Sequence, residues 1–350
     1  MSEWQAKTKV FYGWWLIGGL FVILFFTGGA GFYIFPVFIE SFQTDFGWSM
    51  EQISWSAGIF AIVFGACGPL IGIMISKIGT RKTMLIAAVG ASLVNLGWAS
   101  VQNLPMFYAI AFLGGFVMAG TTLVPSQTLV TTWFDKYRGR AMAIALLGIG
   151  FGGMVLPGFN EFLIRAIGWR MAWVVGAGLL WVIVIPLIAI FVRTKPQDLG
   201  LLPDGEAPSD TVEGQAKQVI TGLSVGDAVK TFAFPMLVAI YLTQLIGQSI
   251  INFHFVPFAI QQGGFTPTQA AWFLGLGIGF SVVGKIIFGW AADRWSPAIL
   301  MAITGFLAAL GPLALEMFIV RGGSSNPLLL WVHAVPYGIG YGGQIILLPV

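Results

Sequence analysis

The sequence predicts an all-α membrane protein with ten helical crossings. Three observations carry that prediction. Charged residues make up 9% of the 350-residue chain, against about 25% in soluble proteins. Hydrophobic residues make up 57% of it, leaving too few charges to cover a water-facing surface. The uncharged residues gather into nine runs: 10–39, 52–76, 83–134, 141–160, 171–192, 231–284, 286–292, 295–315 and 322–350. A helix needs about 20 apolar residues to cross the hydrocarbon core. The runs of 52 and 54 residues therefore each hold more than one crossing.

The first run is too long for a signal-peptide core and lacks a convincing cleavage site, so 11–38 is expected to remain as a crossing. The second crossing is expected at 52–76. The run 83–134 breaks at Gln102, Asn103, Leu104 and Pro105, whose polar and proline content marks a turn. That break gives crossings at 83–101 and 106–133, followed by 141–163 and 170–192. The segment 193–231 is the long polar stretch, with Pro196, Pro203, Pro208, Asp204, Glu206, Asp210 and Glu213. It reads as a linker, with a short interfacial helix from Leu223 to Lys230. The run 231–284 breaks at Gln261 to Gly264 and again at Thr266 and Pro267. Crossings at 232–260, 268–292, 297–319 and 327–350 follow. The domain reading is a six-helix bundle over 1–192, a linker over 193–231 and four further helices over 232–350.

Lysine and arginine set the orientation, because loops rich in them stay cytoplasmic. With the amino terminus inside, thirteen basic residues fall on the cytoplasmic side, among them Lys77, Arg81, Lys82, Arg138, Arg140 and Arg294. Only Arg165, Arg170 and Arg321 fall outside. The expected location is the plasma or inner membrane, with lipid as the surrounding partner. The net charge of +3 comes from loops and does not imply nucleic-acid binding. Cys67 is the single cysteine, so no intrachain disulfide forms. No phosphate loop, nucleophile elbow or metalloprotease helix occurs, and two histidines with one cysteine leave little for a metal site. The chain reads as no enzyme, with neither cofactor nor metal. Without an ATP-binding element, any transport draws on solute or ion gradients.

Lys285 separates the uncharged runs 231–284 and 286–292, about 8 residues or roughly 12 Å from its crossing's end. Gly277, Ser281, Lys285, Gly289 and Ala292 recur at helical spacing, a small stripe expected to face the bundle interior. A lysine there attracts a carboxylate, with Ser281 one turn away as a hydrogen-bond donor. The alternative is a lysine snorkelling to the headgroups over its aliphatic stem. His254 and Asn252 share the seventh crossing with Gln244, Gln248 and Pro257. His254 either relays protons and donates to a carboxylate, or satisfies a carbonyl freed by Pro257. Tyr33 offers a hydroxyl to substrate or is a packed aromatic. The fourth crossing carries Thr121, Thr122, Ser126, Gln127, Thr128, Thr131 and Thr132. Gln127 is its best candidate for substrate contact, while the hydroxyls also have their own backbone to bond. Gly148, Gly150, Gly152, Gly153 and Pro157 suit close approach of the fifth helix to a neighbour.

Two loops repeat a pattern. Gly72, Ser76, Lys77, Gly79, Arg81 and Lys82 follow the second crossing; Gly289, Asp293 and Arg294 follow the eighth. Pro125 in the fourth crossing and Pro349 in the tenth also correspond. Equivalent halves would run to roughly residue 415, so two crossings beyond the tenth are expected.

These loops resemble the signature of the major facilitator superfamily. More narrowly, the chain resembles its monocarboxylate porter and oxalate:formate antiporter branch. The narrower resemblance rests on Tyr12 to Trp15, Gly31 to Pro36, Phe46 to Ser49, Trp133 and Phe134, Arg138 to Ala141, Gly168 to Arg170, Leu199 to Gly205, and Phe253 to Pro257. Ser76 departs from the superfamily's usual aspartate, and Val37 stands where some monocarboxylate porters carry lysine. The resemblance implies a twelve-helix fold whose two bundles rock about a central cavity. It implies that Lys285 matches a substrate-binding arginine of anion porters. It also implies that Gly72, Lys77, Gly79, Arg81, Lys82, Arg138, Arg140, Asp293 and Arg294 form an inner gate between the halves. The expected function is a secondary carrier of small organic anions, monocarboxylates or dicarboxylates, coupled to protons or working by anion exchange. The alternatives are a carrier of a neutral or cationic solute, or a non-transporting membrane sensor or scaffold.

Overall fold

Ten helical rods stand where the ten crossings are expected, in a computed structural model that describes residues 10–205, 225–321 and 328–347. They are α1 (Tyr12–Tyr33), α2 (Met50–Ala66 and Gly68–Ile78), α3 (Thr80–Ala99), α4 (Leu104–Trp133) and α5 (Arg138–Ile167). There follow α6 (Trp169–Phe191), α7 (Ala233–Gln261), α8 (Pro267–Ala292), α9 (Pro297–Leu315) and α10 (Leu328–Leu347). The described residues contain no strand. The two parts of α2 meet at a 45° bend beside Pro69. Proline lacks the N–H of a helix interior and its ring crowds the preceding turn.

Among the described residues, α1, α3, α4, α5, α6 and α9 are long and apolar enough to cross a bilayer, and α2 makes a seventh if its bent pair is one crossing. α7 and α8 contribute the shorter apolar helices Ala233–Gly247 and Gly279–Ala292. α10 is a continuous 20-residue helix, made less apolar by His333, Tyr337, Tyr341 and Gln344. Large apolar side chains point outward along the rods: Trp55, Ile62, Val182 and Phe306 are 61–75% exposed. Such a surface suits lipid and would aggregate in water. The chain is a multi-pass membrane protein.

By contact, the described residues form two units. One holds residues 10–205 together with Ala292–Arg294; the other holds 225–291 and 295–347. In the first, α1 lies against α5 with almost no side chain between them. A Cβ added at Gly148 would overlap the carbonyl of Phe21, and one at Gly152 that of Phe25. At this contact α1 widens into a π-helical turn, Phe25–Gly29, a device common where a helix adapts to function or packing.

One end of the same unit is closed by aromatics. Phe38 stacks on Trp173 at 4.4 Å, Trp98 on Trp173 at 5.6 Å, and Phe46 on Trp48 at 4.3 Å. Trp169 Nε1 donates to Asp45 Oδ2 at 2.8 Å. Arg170 donates to the carbonyls of Ala99, the last residue of α3, and of Val101 just beyond it; the last carbonyls of a helix have no partner within it. The motif pieces Phe46 to Ser49 and Gly168 to Arg170 are thus two sides of one clasp.

The α1–α5 contact yields a stability test. Gly152→Val should cost about 1–3 kcal/mol by overpacking, read as a lower melting temperature in detergent. Gly158→Ala, with nothing within 4 Å of the added carbon, should leave it unchanged or slightly raised.

Candidate functional site

Lys285 is only 6% exposed, although its helix turns Val283, Ile286, Ile287 and Trp290 outward at 40–53% exposure. The ammonium-bearing face of α8 is thus opposite its apolar outer face. The small residues explain how. A Cβ at Gly342 of α10 would overlap the carbonyl of Ser281, one at Gly338 that of Gly277, and one at Gly284 of α8 that of Ile339. Gly277 and Ser281 therefore form the α8–α10 seam, with backbone against backbone. The stripe expected to face the bundle interior is mostly taken up by this packing against α10. Lys285, one turn beyond Ser281, stands at the seam's flank. Among the described residues it forms no ion pair. Ser281 is 2% exposed.

α10 brings further polar groups that the sequence reading missed. His333, 1% exposed, stacks on Phe255 of α7 at 4.7 Å and on Tyr337 at 5.1 Å. Tyr337 in turn stacks on Tyr341 at 6.0 Å. The Tyr337 hydroxyl is buried and finds no hydrogen-bond partner among the described residues. The available signal was the four-residue spacing of His333, Tyr337 and Tyr341 within an apolar run.

The other candidates fall elsewhere. Asn252 and His254 belong to α7, but their side chains lie outside the described residues. Tyr33 is in the first unit, its ring laid on α5 where a Cβ at Gly153 would come within 2.6 Å of it. Gln127 is half-buried in α4, and its carbonyl accepts from Thr131 Oγ1 at 3.0 Å. Thr121, Thr122, Thr128 and Thr132 likewise bond carbonyls of their own helix. Ser126 Oγ is buried with no partner among the described residues.

The charged loop residues divide. Arg140 Nε and Asp293 Oδ2 are 2.8 Å apart, in coulombic contact rather than a directed hydrogen bond. Asp293 Oδ1 accepts the N–H of Gly139 at 2.8 Å, and its side chain is 4% exposed. Burial, with a smaller push from the Asp204 carboxylate, raises this carboxyl above the usual aspartate range, against the lowering pull of the Gly139 and Arg140 N–H groups and the guanidinium. Arg138 pairs with Asp135 at 3.4 Å. Arg81 donates to the Ala189 carbonyl near the end of α6. Gly79 turns the chain between α2 and α3 at φ +84°. Gly72, Lys77, Lys82 and Arg294 are exposed. Ser76 Oγ donates to Ile73 of its own helix at 2.8 Å, as a residue without charge would. Of the nine expected gate residues, Arg140 and Asp293 form the close pair. Among the described residues no group of three or more metal-ligating side chains occurs.

Comparison with known proteins adds identity to this geometry. The sequence model of the Major Facilitator Superfamily matches residues 20–350. A gallate transporter of Pseudomonas putida is 26% identical over 346 residues, covering 90% of this chain and 75% of that protein. Monocarboxylate transporter 2 of Mesocricetus auratus is 27% identical over 174 residues, covering 48% of this chain and 34% of that protein. The chain thus aligns with about a third of that second relative. In fold, it is similar to the proton:xylose symporter XylE bound to 6-bromo-6-deoxy-D-glucose. The TM-score is 0.72 at 15% identity, covering 96% of this chain and 81% of that one.

The surroundings of Asp293 predict a titration. Arg140→Gln removes one of the groups that hold this carboxyl down, so its pKa should rise further. Infrared spectroscopy should show a protonated-carboxyl band persisting to higher pH than in the parent, a band that Asp293→Asn abolishes. An unmoved band would contradict the contact.

Proposed function

Because this chain belongs to the major facilitator superfamily, a family of secondary transporters, we propose that it carries small organic anions, with Lys285 neutralising the substrate carboxylate. Burying an ammonium costs several kcal/mol even after relaxation. Attraction to an opposite charge offsets that cost, and the described residues supply no such charge at Lys285. A carboxylate substrate would supply it. That buried cation, with no counter-charge among the described residues, is the observation on which the assignment rests. The names of two relatives, a gallate and a monocarboxylate transporter, also specify carboxylates and support the same class.

In this reading Ser281 donates a hydrogen bond beside the ammonium, and His254, Asn252, Tyr33 and Gln127 are secondary contacts. Coupling is to a proton or to a counter-transported anion. The distribution of basic residues supports a cytoplasmic amino terminus. The Arg140–Asp293 pair then acts as an inner latch, closed when α5 holds Asp293 and open when it releases it, as alternating access requires.

Uptake of labelled monocarboxylates and dicarboxylates into proteoliposomes tests the assignment. Lys285→Gln should reduce uptake about 10- to 150-fold, the loss of a charge-assisted contact. Lys285→Arg should retain a measurable part, since the charge remains. Unchanged uptake by a correctly inserted Lys285→Gln protein rejects Lys285 as the substrate's partner.

A further inference from the structure

Three of the sequence motifs, at the start of α1, in the loop between α4 and α5 and in the turn after α6, meet at one place. Pro196–Leu199 and Pro203–Gly205 form two 3-10 turns that bring the chain to the loop between α4 and α5. Asp204 Oδ2 accepts the N–H of Asp135 at 2.8 Å and that of Lys136 at 2.6 Å. Asp204 does so at φ +57°, a left-handed conformation that residues other than glycine adopt uncommonly. Its Oδ1 is buried without a hydrogen-bond partner among the described residues.

Aromatic packing surrounds the same loop. Phe11 lies against Gly205, where an added Cβ would come within 2.8 Å of its ring, and its ring meets Phe134 at 5.6 Å. Trp14 meets Phe134 at 4.9 Å and Tyr137 at 6.4 Å. The start of α1, the α4–α5 loop and the turn after α6 thus bracket one short segment. Directly beyond the bracket, that segment presents the Gly139 N–H and the Arg140 guanidinium to Asp293. The first N–H groups of a helix have no partner within it. Here two carboxylates from distant parts of the sequence hold one short stretch, Asp204 through the loop N–H groups of Asp135 and Lys136 and Asp293 through the Gly139 N–H in the first turn of α5.

We propose that Asp204 is a positioning residue for the Arg140–Asp293 latch. It fixes residues 135 and 136 so that the first turn of α5 meets Asp293 in register. The inference rests on the reading of that pair as a latch. Its energetic content is a coupling: the clamp on Asp135 and Lys136 matters to transport only through what it presents to Asp293.

Hydrogen exchange of the 138–142 segment, in nanodiscs, reads the latch directly. Asp204→Ala should speed exchange there about tenfold, the scale of one lost hydrogen bond to a charged group. In an Asp293→Asn background, exchange should already be fast, and Asp204→Ala should add less than about twofold. Asp204→Asn retains one acceptor and should fall between, about threefold; it serves as the readout if Asp204→Ala does not fold. Unchanged exchange in both Asp204 variants overturns the proposal. So do equal increments with and without Asp293, because they would assign Asp204 to the fold alone. Uptake separates the two readings: if Asp293→Asn transports as the parent does, the latch reading fails, while the exchange coupling still decides the role of Asp204.

Discussion

A buried cation for which the described residues supply no counter-charge is unstable unless the surrounding fold forces it to stay, and α8 shows how that is arranged. Its seam with α10 is so close that Gly284, Gly338 and Gly342 leave no room for a Cβ. The helix cannot rotate to free Lys285 without driving side chains into backbone. Its outer face is meanwhile committed to Ile286, Ile287 and Trp290. Packing energy distributed along two helices thus holds one costly charge in place. On the proposed reading, a substrate that neutralises this charge would gain binding energy that the protein has already invested in burial. This is a physical reason for preferring an anion over an uncharged solute of the same shape.

The same logic of satisfied and unsatisfied groups runs through the first unit. Arg170 takes carbonyls at the end of α3, Arg81 takes one near the end of α6, and Asp293 takes an N–H at the start of α5. Charged side chains are scarce in this chain, and several of those that exist are spent on helix ends. Helix termini carry the backbone groups with no partner of their own, and beside a membrane those groups are expensive to leave unmet. The contrast is instructive. Arg170 and Arg81 bind carbonyls within rigid packing, whereas Asp293 sits in a three-residue segment that leaves the sequence neighbourhood of α8 and joins the first unit.

Much of the fold was legible because burial in lipid imposes a one-dimensional signal. The turn expected at Gln102 to Pro105 is where α4 begins, and Asn103 caps it by accepting the Met106 N–H. Residues whose meaning depends on distant partners were less legible. The small stripe was legible, but which part of it would be filled by α10 depended on glycines 61 residues away, Gly338 against Gly277 and Gly342 against Ser281. For the hydroxyls of α4 the sequence left cavity lining and bonding to their own backbone both open, and the threonines bond their own carbonyls, a choice that composition cannot decide. His333 and Tyr337 escaped notice because a histidine and a tyrosine in an apolar run acquire significance only when Phe255 is brought beside them. Asp204 read as linker composition, since nothing local links it to the N–H groups of Asp135 and Lys136.

The central claim, that a buried ammonium selects for negative charge, is tested most directly by equilibrium binding to the purified protein. The ligands should be matched pairs sharing one skeleton, a carboxylate and its neutral primary amide, such as benzoate with benzamide or lactate with lactamide. Tryptophan fluorescence or thermal shift gives the affinities. The account predicts that at least one carboxylate binds about tenfold or more tightly than its amide, with the difference shrinking when Lys285 is replaced by glutamine. Equal affinity within every pair that binds would contradict it.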